Sequence, residues 1–174
     1  WHTCQPDKVG TEGWLGRAIR EIDPIAENVL TGVNFGHGLP RAMAAPGVPI
    51  TSVGDLERYG VLSGIPSPHR EKTLDLFSRI YSPAIGLGPV VDYLSRTGMD
   101  AIKGADILRT ATNKYSSSVE YGNNPVAKYM KNVAQVQLGN LGTRVLYVTA
   151  PDNSFDTHSG QVPVHARLWN EVSD

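Results

Sequence analysis

The sequence predicts an α/β protein built on a parallel sheet flanked by helices, and three observations carry that prediction. The first is a helix feeding a strand: residues 124–138 match a helical template, and Val145-Leu146-Tyr147-Val148 then gives four apolar residues in succession, as in a strand covered on both faces. The second is a weaker strand signal over 29–35, bounded by Gly36-His37-Gly38. The third is punctuation, since 18 Gly and 12 Pro divide the 174 residues into short periodic blocks joined by loops. A chain of this length fits one domain, or one large piece of a domain, around a single core.

In chain order, Trp14, Leu15, Ala18, Ile19 and Ile22 fall on one stripe of a helix ending near Asp23-Pro24, with Trp14 read as core. The strand over 29–35 follows. Ser52-Val53-Gly54-Asp55 reads as a capping box before Leu56 and Tyr59, with Gly60 as a left-handed stop, so one or two helical turns are expected. Ser67-Pro68 supplies an N-cap and a first-turn proline for a helix carrying Leu74, Phe77, Ile80 and Tyr81. Two further helical blocks, 89–96 and 100–115, are separated by Gly98 and carry Val90, Val91, Leu94, Ile102, Leu108 and Ala111. A polar loop over 116–123 leads to Asn124 as N-cap and Pro125 at the first helical position. Val126, Tyr129, Met130, Val133 and Ala134 then follow helical spacing, and Gly139 is placed to end the helix. This helix is expected to pack on the sheet through Val126, Met130 and Val133, with 145–148 as a central strand. After a polar loop, Pro163 opens a final helix containing Val164, Leu168 and Val172. No internal repeat interrupts this order, and 36–121 is expected to be a loop- and helix-rich insertion.

Composition narrows the function. Charged residues make up 19%, and 16 Lys+Arg against 17 Asp+Glu leave a net charge of −1, so no basic field is available to hold a nucleic-acid backbone. The longest nearly apolar stretch, 84–91, falls far short of the ~18 residues that span a bilayer. A single cysteine, Cys4, makes no intrachain disulfide and no Cys pair suggests a zinc ribbon or redox site. No signal peptide is visible, nor any G-x-S-x-G, P-loop, G-x-G-x-x-G or H-E-x-x-H motif.

One constellation remains: Asp156-Thr157-His158 beyond the apolar run, with Asp152 before it and His165 after it. Ligands in open α/β sheets collect outside the carboxyl ends of the strands, which is where this loop belongs. In extended chain, residues i and i+2 point the same way, so Asp156 and His158 could present a carboxylate oxygen and an imidazole nitrogen to one divalent ion, while Thr157 points away. The same pattern also fits Asp156 capping a turn with His158 solvated, His165 exposed on the last helix, and Asp152 turning the loop. The remaining polar residues have structural readings: His37 in a tight turn, His69 exposed in a first helical turn, and Ser116-Ser117-Ser118 as a solvated loop without a base. Arg17 and Arg144 read as ion-pair partners or as covers for apolar surface.

Five blocks, taken in order, resemble the DUF1501 family: Trp1-His2-Thr3-Cys4-Gln5-Pro6-Asp7, Gly13-Trp14-Leu15-Gly16-Arg17, Asn124-Pro125-Val126-Ala127, Leu141-Gly142-Thr143-Arg144-Val145-Leu146-Tyr147-Val148, and Phe155-Asp156-Thr157-His158 with Gln161 and His165. The resemblance runs from Trp1 to the last helix, matches 36–121 only loosely, and corresponds to the middle section of the family. DUF1501 proteins are similar to the alkaline phosphatase and sulfatase superfamily, whose members hydrolyse phosphate or sulfate esters at a metal centre on a parallel sheet. Most are exported, often by a twin-arginine signal. The resemblance therefore implies a fragment of an alkaline phosphatase-like fold, periplasmic or secreted, acting on a small ester or glycan. It implies Asp156 and His158 as ligands of a divalent ion, with zinc, calcium and magnesium as candidates, and it marks His165 as a recurrent family histidine and possible further ligand. Asn153-Ser154 stand where the family carries Gly-Gly. The family's Gly- and Asp-rich N-terminal segment and its C-terminal Asp-His segment have no counterpart in these 174 residues. The site is thus expected to be at most half complete here, and the isolated chain inactive. The alternative is a non-catalytic exported binding or scaffold protein that keeps the superfamily fold.

Overall fold

The computed structural model describes residues 2–7, 10, 12–36, 38–56, 59, 65–84, 86–149 and 155–173. Helix α1 (Trp14–Ile22) opens without a capping side chain. Its first N–H groups are met by main chain from a neighbouring segment: Gly13 N–H donates to Ala44 O at 2.7 Å and Leu15 N–H to Ala42 O at 2.9 Å. Only glycine allows this approach, because a Cβ at Gly13 would lie inside the Ala42 carbonyl. Arg17 adds a clamp, donating to Glu12 O at 3.0 Å and Thr3 O at 2.7 Å, which ties the preceding segment to the helix. Ile19 is buried, whereas Trp14 is 39% exposed, so the core reading of Trp14 is corrected. Ile19 reaches Gly32, while Trp14 stands at the first position of the helix.

Asp23 caps the end of α1 and carries the chain into the sheet. Its carboxylate accepts from Glu27 N–H and Asn28 N–H, both at 3.0 Å, and from the Thr31 hydroxyl at 2.9 Å. Asn28 in turn donates from Nδ2 to Leu141 O at 3.0 Å, spanning 113 residues of sequence. Strand β1 (Gly32–Phe35) follows, within the stretch where alternation predicted it, and all four residues are buried.

β1 is the centre of a three-stranded parallel sheet of order β2-β1-β3, with β2 being Ile50–Val53 and β3 Val145–Val148. Gly32 lies opposite Ile50 on one side and Val145 on the other, and Phe35 opposite Val53 and Val148. Two expectations are corrected here. Residues 145–148 form an edge strand of this sheet, half-buried along their length, while the central position belongs to β1. Ser52 and Val53 belong to a strand, where a capping box was expected. Thr51 and Val53 turn inward, and the Thr51 hydroxyl donates to Val29 O at 3.1 Å, so the segment satisfies its polar groups by pairing. Gly60 and its proposed helix stop lie outside the described residues.

Val33 and Phe35 face a core with Val29, Leu30, Val53, Leu56, Leu108, Ala111, Tyr129 and Val136. The other face of β1 is covered by α1 and its neighbouring segment, because a Cβ at Gly32 would press on Ile19 and approach Met43. Helix α2 (Ser67–Tyr81) has the expected first-turn proline, but its N-cap is Pro66, one residue ahead of the expected Ser67, and it runs through a short 3-10 turn, Ser82–Ala84, toward α3 (Pro89–Lys114). α3 is one continuous helix of 26 residues, and the expected break at Gly98 is absent. Gly98 instead marks a close helix crossing, since a Cβ there would come within 3.2 Å of the Phe77 ring on α2. An Arg70–Asp106 ion pair at 2.7 Å joins the same two helices. The stretch 36–121 thus supplies β2 to the sheet and Leu108 and Ala111 to the core.

Helix α4 (Pro125–Leu138) begins as predicted, with Asn124 Oδ1 accepting from Ala127 N–H at 2.8 Å. Its buried side is rotated from the predicted one. Tyr129, Val133 and Val136 meet the core, and Met130 is 46% exposed. After Gly139 the left-handed residue is Asn140, with φ 51°. The final helix, α5 (Gln161–Ser173), starts two residues ahead of Pro163, which sits in its first turn, where no N–H is required of it. Leu168 is buried and Val172 is 45% exposed. Among the described residues, no helix is long and apolar enough to cross a membrane.

Candidate metal centre

In a parallel sheet every strand delivers its carboxyl end to the same side, and the chain beyond β3 enters the loop that carries Asp156 and His158. The described part of that loop, 155–160, runs directly into α5. Its side chains alternate. Asp156 Oδ1 and His158 Nε2 lie 3.6 Å apart on the outer side, with the carboxylate side chain 72% exposed and the imidazole 91% exposed. An ion pair in so much water contributes little to stability. Two donors of one tetrahedral ion, each at about 2.0 to 2.2 Å, stand roughly 3.3 to 3.6 Å apart, so this pair has the separation of two ligands of one ion.

The intervening residues face the other way. Phe155 packs against His165 and Trp169, with ring centroids 5.8 and 5.1 Å apart. The Thr157 hydroxyl lies 3.0 Å from His165 Nε2, which is also 3.1 Å from Phe155 O. Gln161 Nε2 donates to Thr157 O at 3.0 Å. The structure therefore brings Asp156 and His158 together and turns His165 toward the inner side of the loop. Among the described residues, no three of His, Cys, Asp and Glu are grouped to hold an ion. Asp152, His37 and the Asn153-Ser154 pair lie outside the described residues.

Trp169, and the part that Gln161 and Thr157 play in the loop, escaped the sequence reading. A signal was present, since Gln161, His165 and Trp169 recur every four residues and so share one face of α5. The other polar candidates occupy structural places. Ser117 Oγ accepts from Val119 N–H at 3.0 Å within the polar loop, and the nearby Tyr115 and Tyr121 hydroxyls are 3.1 Å apart. Hydrogen bonding with Ser117, and then with Tyr121, lowers the Tyr115 phenol below its ordinary range. His69 is exposed on α2, and Arg144 is exposed beside β3.

A separate groove of about 660 Å³ lies at the amino ends of β1 and β2, lined by Ile25, Val48, Tyr93, Arg96 and Asp100 among others. Burial pushes the Asp100 carboxyl up, against the opposing pull of Lys103 and Arg96. None of the residues lining this groove belongs to the loop that carries Asp156 and His158. No family model, curated protein or solved structure matches this chain.

Proposed function

We propose that the chain is part of an exported DUF1501-like protein with an alkaline phosphatase-like fold, and that Asp156 and His158 contribute two ligands to a divalent metal site for phosphate or sulfate ester hydrolysis. The observation that carries the reading is the 3.6 Å approach of Asp156 Oδ1 to His158 Nε2 on the loop beyond a parallel strand. Their exposure supports it as well: both donors are open to an incoming ion and to ligands from elsewhere in the protein. The ion, when bound, supplies charge stabilisation for a transferring phosphoryl or sulfuryl group and activation of a nucleophile. The chain's own residues hold two donors at ligand spacing, and Thr157 faces the loop's inner side.

Metal content and hydrolysis test the reading together. In the complete protein, Asp156→Ala should abolish both metal retention after dialysis and ester hydrolysis, because a site of three or four ligands that loses one must recruit water in place of a fixed donor. Thr157→Ala should do much less. The isolated 174-residue chain, holding two donors, should turn over neither p-nitrophenyl phosphate nor p-nitrophenyl sulfate with zinc, calcium or magnesium. Equal metal content in wild type and Asp156→Ala, by elemental analysis, would leave Asp156 as a loop cap and favour the non-catalytic scaffold.

A further inference from the structure

We propose that His165 is a positioning residue for the Asp156–His158 pair: together with Gln161 it grips the inner side of the loop and so fixes the outer side on which the two donors meet. The inference rests on reading those donors as metal ligands, and it assigns the Nε2 side of His165 to holding the loop. The argument begins with one atom. Phe155 O can only accept a hydrogen bond, so the His165 nitrogen 3.1 Å away must carry the proton. That Nε2–H also lies 3.0 Å from the Thr157 hydroxyl oxygen, which accepts from it in a shared bond. With its proton directed into the loop, Nε2 has no lone pair to offer an ion, and the lone pair of the neutral ring lies on Nδ1, away from these contacts.

The grip has three points, on alternate residues of the loop. His165 holds Phe155 O and Thr157 Oγ1, and Gln161, one helical turn earlier, holds Thr157 O. Phe155 is further fixed between the His165 ring and Trp169. Exposure alternates along 155–158, with Phe155 and Thr157 half-buried and Asp156 and His158 exposed, so fixing 155 and 157 inward leaves 156 and 158 outward and together. Asp156 and His158 are themselves largely exposed. Their convergence is therefore set from behind, by α5.

The test uses the 174-residue chain, zinc ions and two readouts. Long-range proton–nitrogen NMR reads the His165 tautomer without metal, and the expected result is a proton on Nε2. Zinc titration should perturb the His158 ring and leave His165 Nε2 protonated. His165→Leu should weaken zinc binding roughly 10- to 100-fold, the usual effect of losing an outer-shell partner, while His165→Gln, which restores an N–H donor, should recover most of it. Amide exchange at Thr157 and His158 should accelerate in His165→Leu. Gln161→Ala, on an exposed helical position, should accelerate it partway even if the leucine variant fails to fold. A proton on Nδ1, or zinc affinity and loop exchange unchanged in His165→Leu, would overturn the proposal. If the wild-type chain binds no zinc, two donors alone do not retain an ion, and the tautomer and the exchange rates still decide whether α5 holds the loop.

Discussion

At the scale of single residues, the best-defined polar device is Asp23, which ends α1 and sets the path into β1. Hydrogen bonds from Asn28 N–H and Glu27 N–H favour its charged form and hold its carboxyl below the usual range, with Thr31 adding a third donor against the opposing effect of burial. A carboxylate of this kind contributes stability that is fully present above its unfolded-state pKa and is lost as pH falls through its lower folded-state value. Asp23→Asn should therefore lower Tm at neutral pH, by a margin that persists down to about pH 4 and closes below it, as the wild-type carboxylate protonates. Thermal melts of both proteins across the acid range check this, and a pH-independent difference would show that shape, and not charge, carries the effect. The residues of the candidate centre were legible to a similar degree. Period-two alternation placed Asp156 and His158 on one side and Thr157 on the other, and the Asp156–His158 distance agrees with it. The inward turn of His165 was hidden, because its partners are a main-chain oxygen and a hydroxyl whose positions depend on the tertiary path of the loop.

At the scale of elements, legibility followed local chemistry. α4 was readable because its N-terminus is written in adjacent residues, Asn124 and Pro125. β2 was not, since Ile50-Thr51-Ser52-Val53 is short, half polar, and becomes a strand through pairing with residues about twenty positions earlier. Gly98 misled for another reason. Glycine costs about 1 kcal/mol inside a helix, so it reads as a break, yet here its missing side chain lets α2 and α3 approach. Gly98→Val should accordingly destabilise the protein by about 1 to 3 kcal/mol, since overpacking against Phe77 exceeds any gain in helix propensity. Leu108, fully buried on α3, should cost more when truncated, about 2 to 5 kcal/mol for Leu108→Ala. Urea unfolding midpoints of the two variants rank them, and a Gly98→Val protein as stable as wild type would mean that the crossing can open freely.

At the scale of the whole molecule, the α/β class was legible from the alternation of helical and strand periods, whereas strand order was not, because β3 returns to the free edge of β1 only after α2, α3 and α4. Placing β1 at the centre has a measurable result. Its amides, paired on both sides and buried throughout, should exchange more slowly than those of β2 and β3 in native-state hydrogen exchange, with Val33 and Phe35 among the slowest. Faster exchange in β1 than in β3 would contradict the order.

The bond from Asn28 to Leu141 bears on time as well as structure. It closes a span of 113 residues, and each β1–β3 pair beside it spans the same distance, so the sheet cannot be completed until residues 141–148 fold back onto β1. Closing a span of that length costs entropy before any contact compensates it, which places this protein among slow folders whose helices form early and whose third strand arrives late. During synthesis, β1 and β2 would therefore emerge and wait as a two-stranded pair with the N–H and C=O groups of one β1 edge unpaired, and the nascent chain would be most prone to association in the interval before residues 141–148 leave the ribosome.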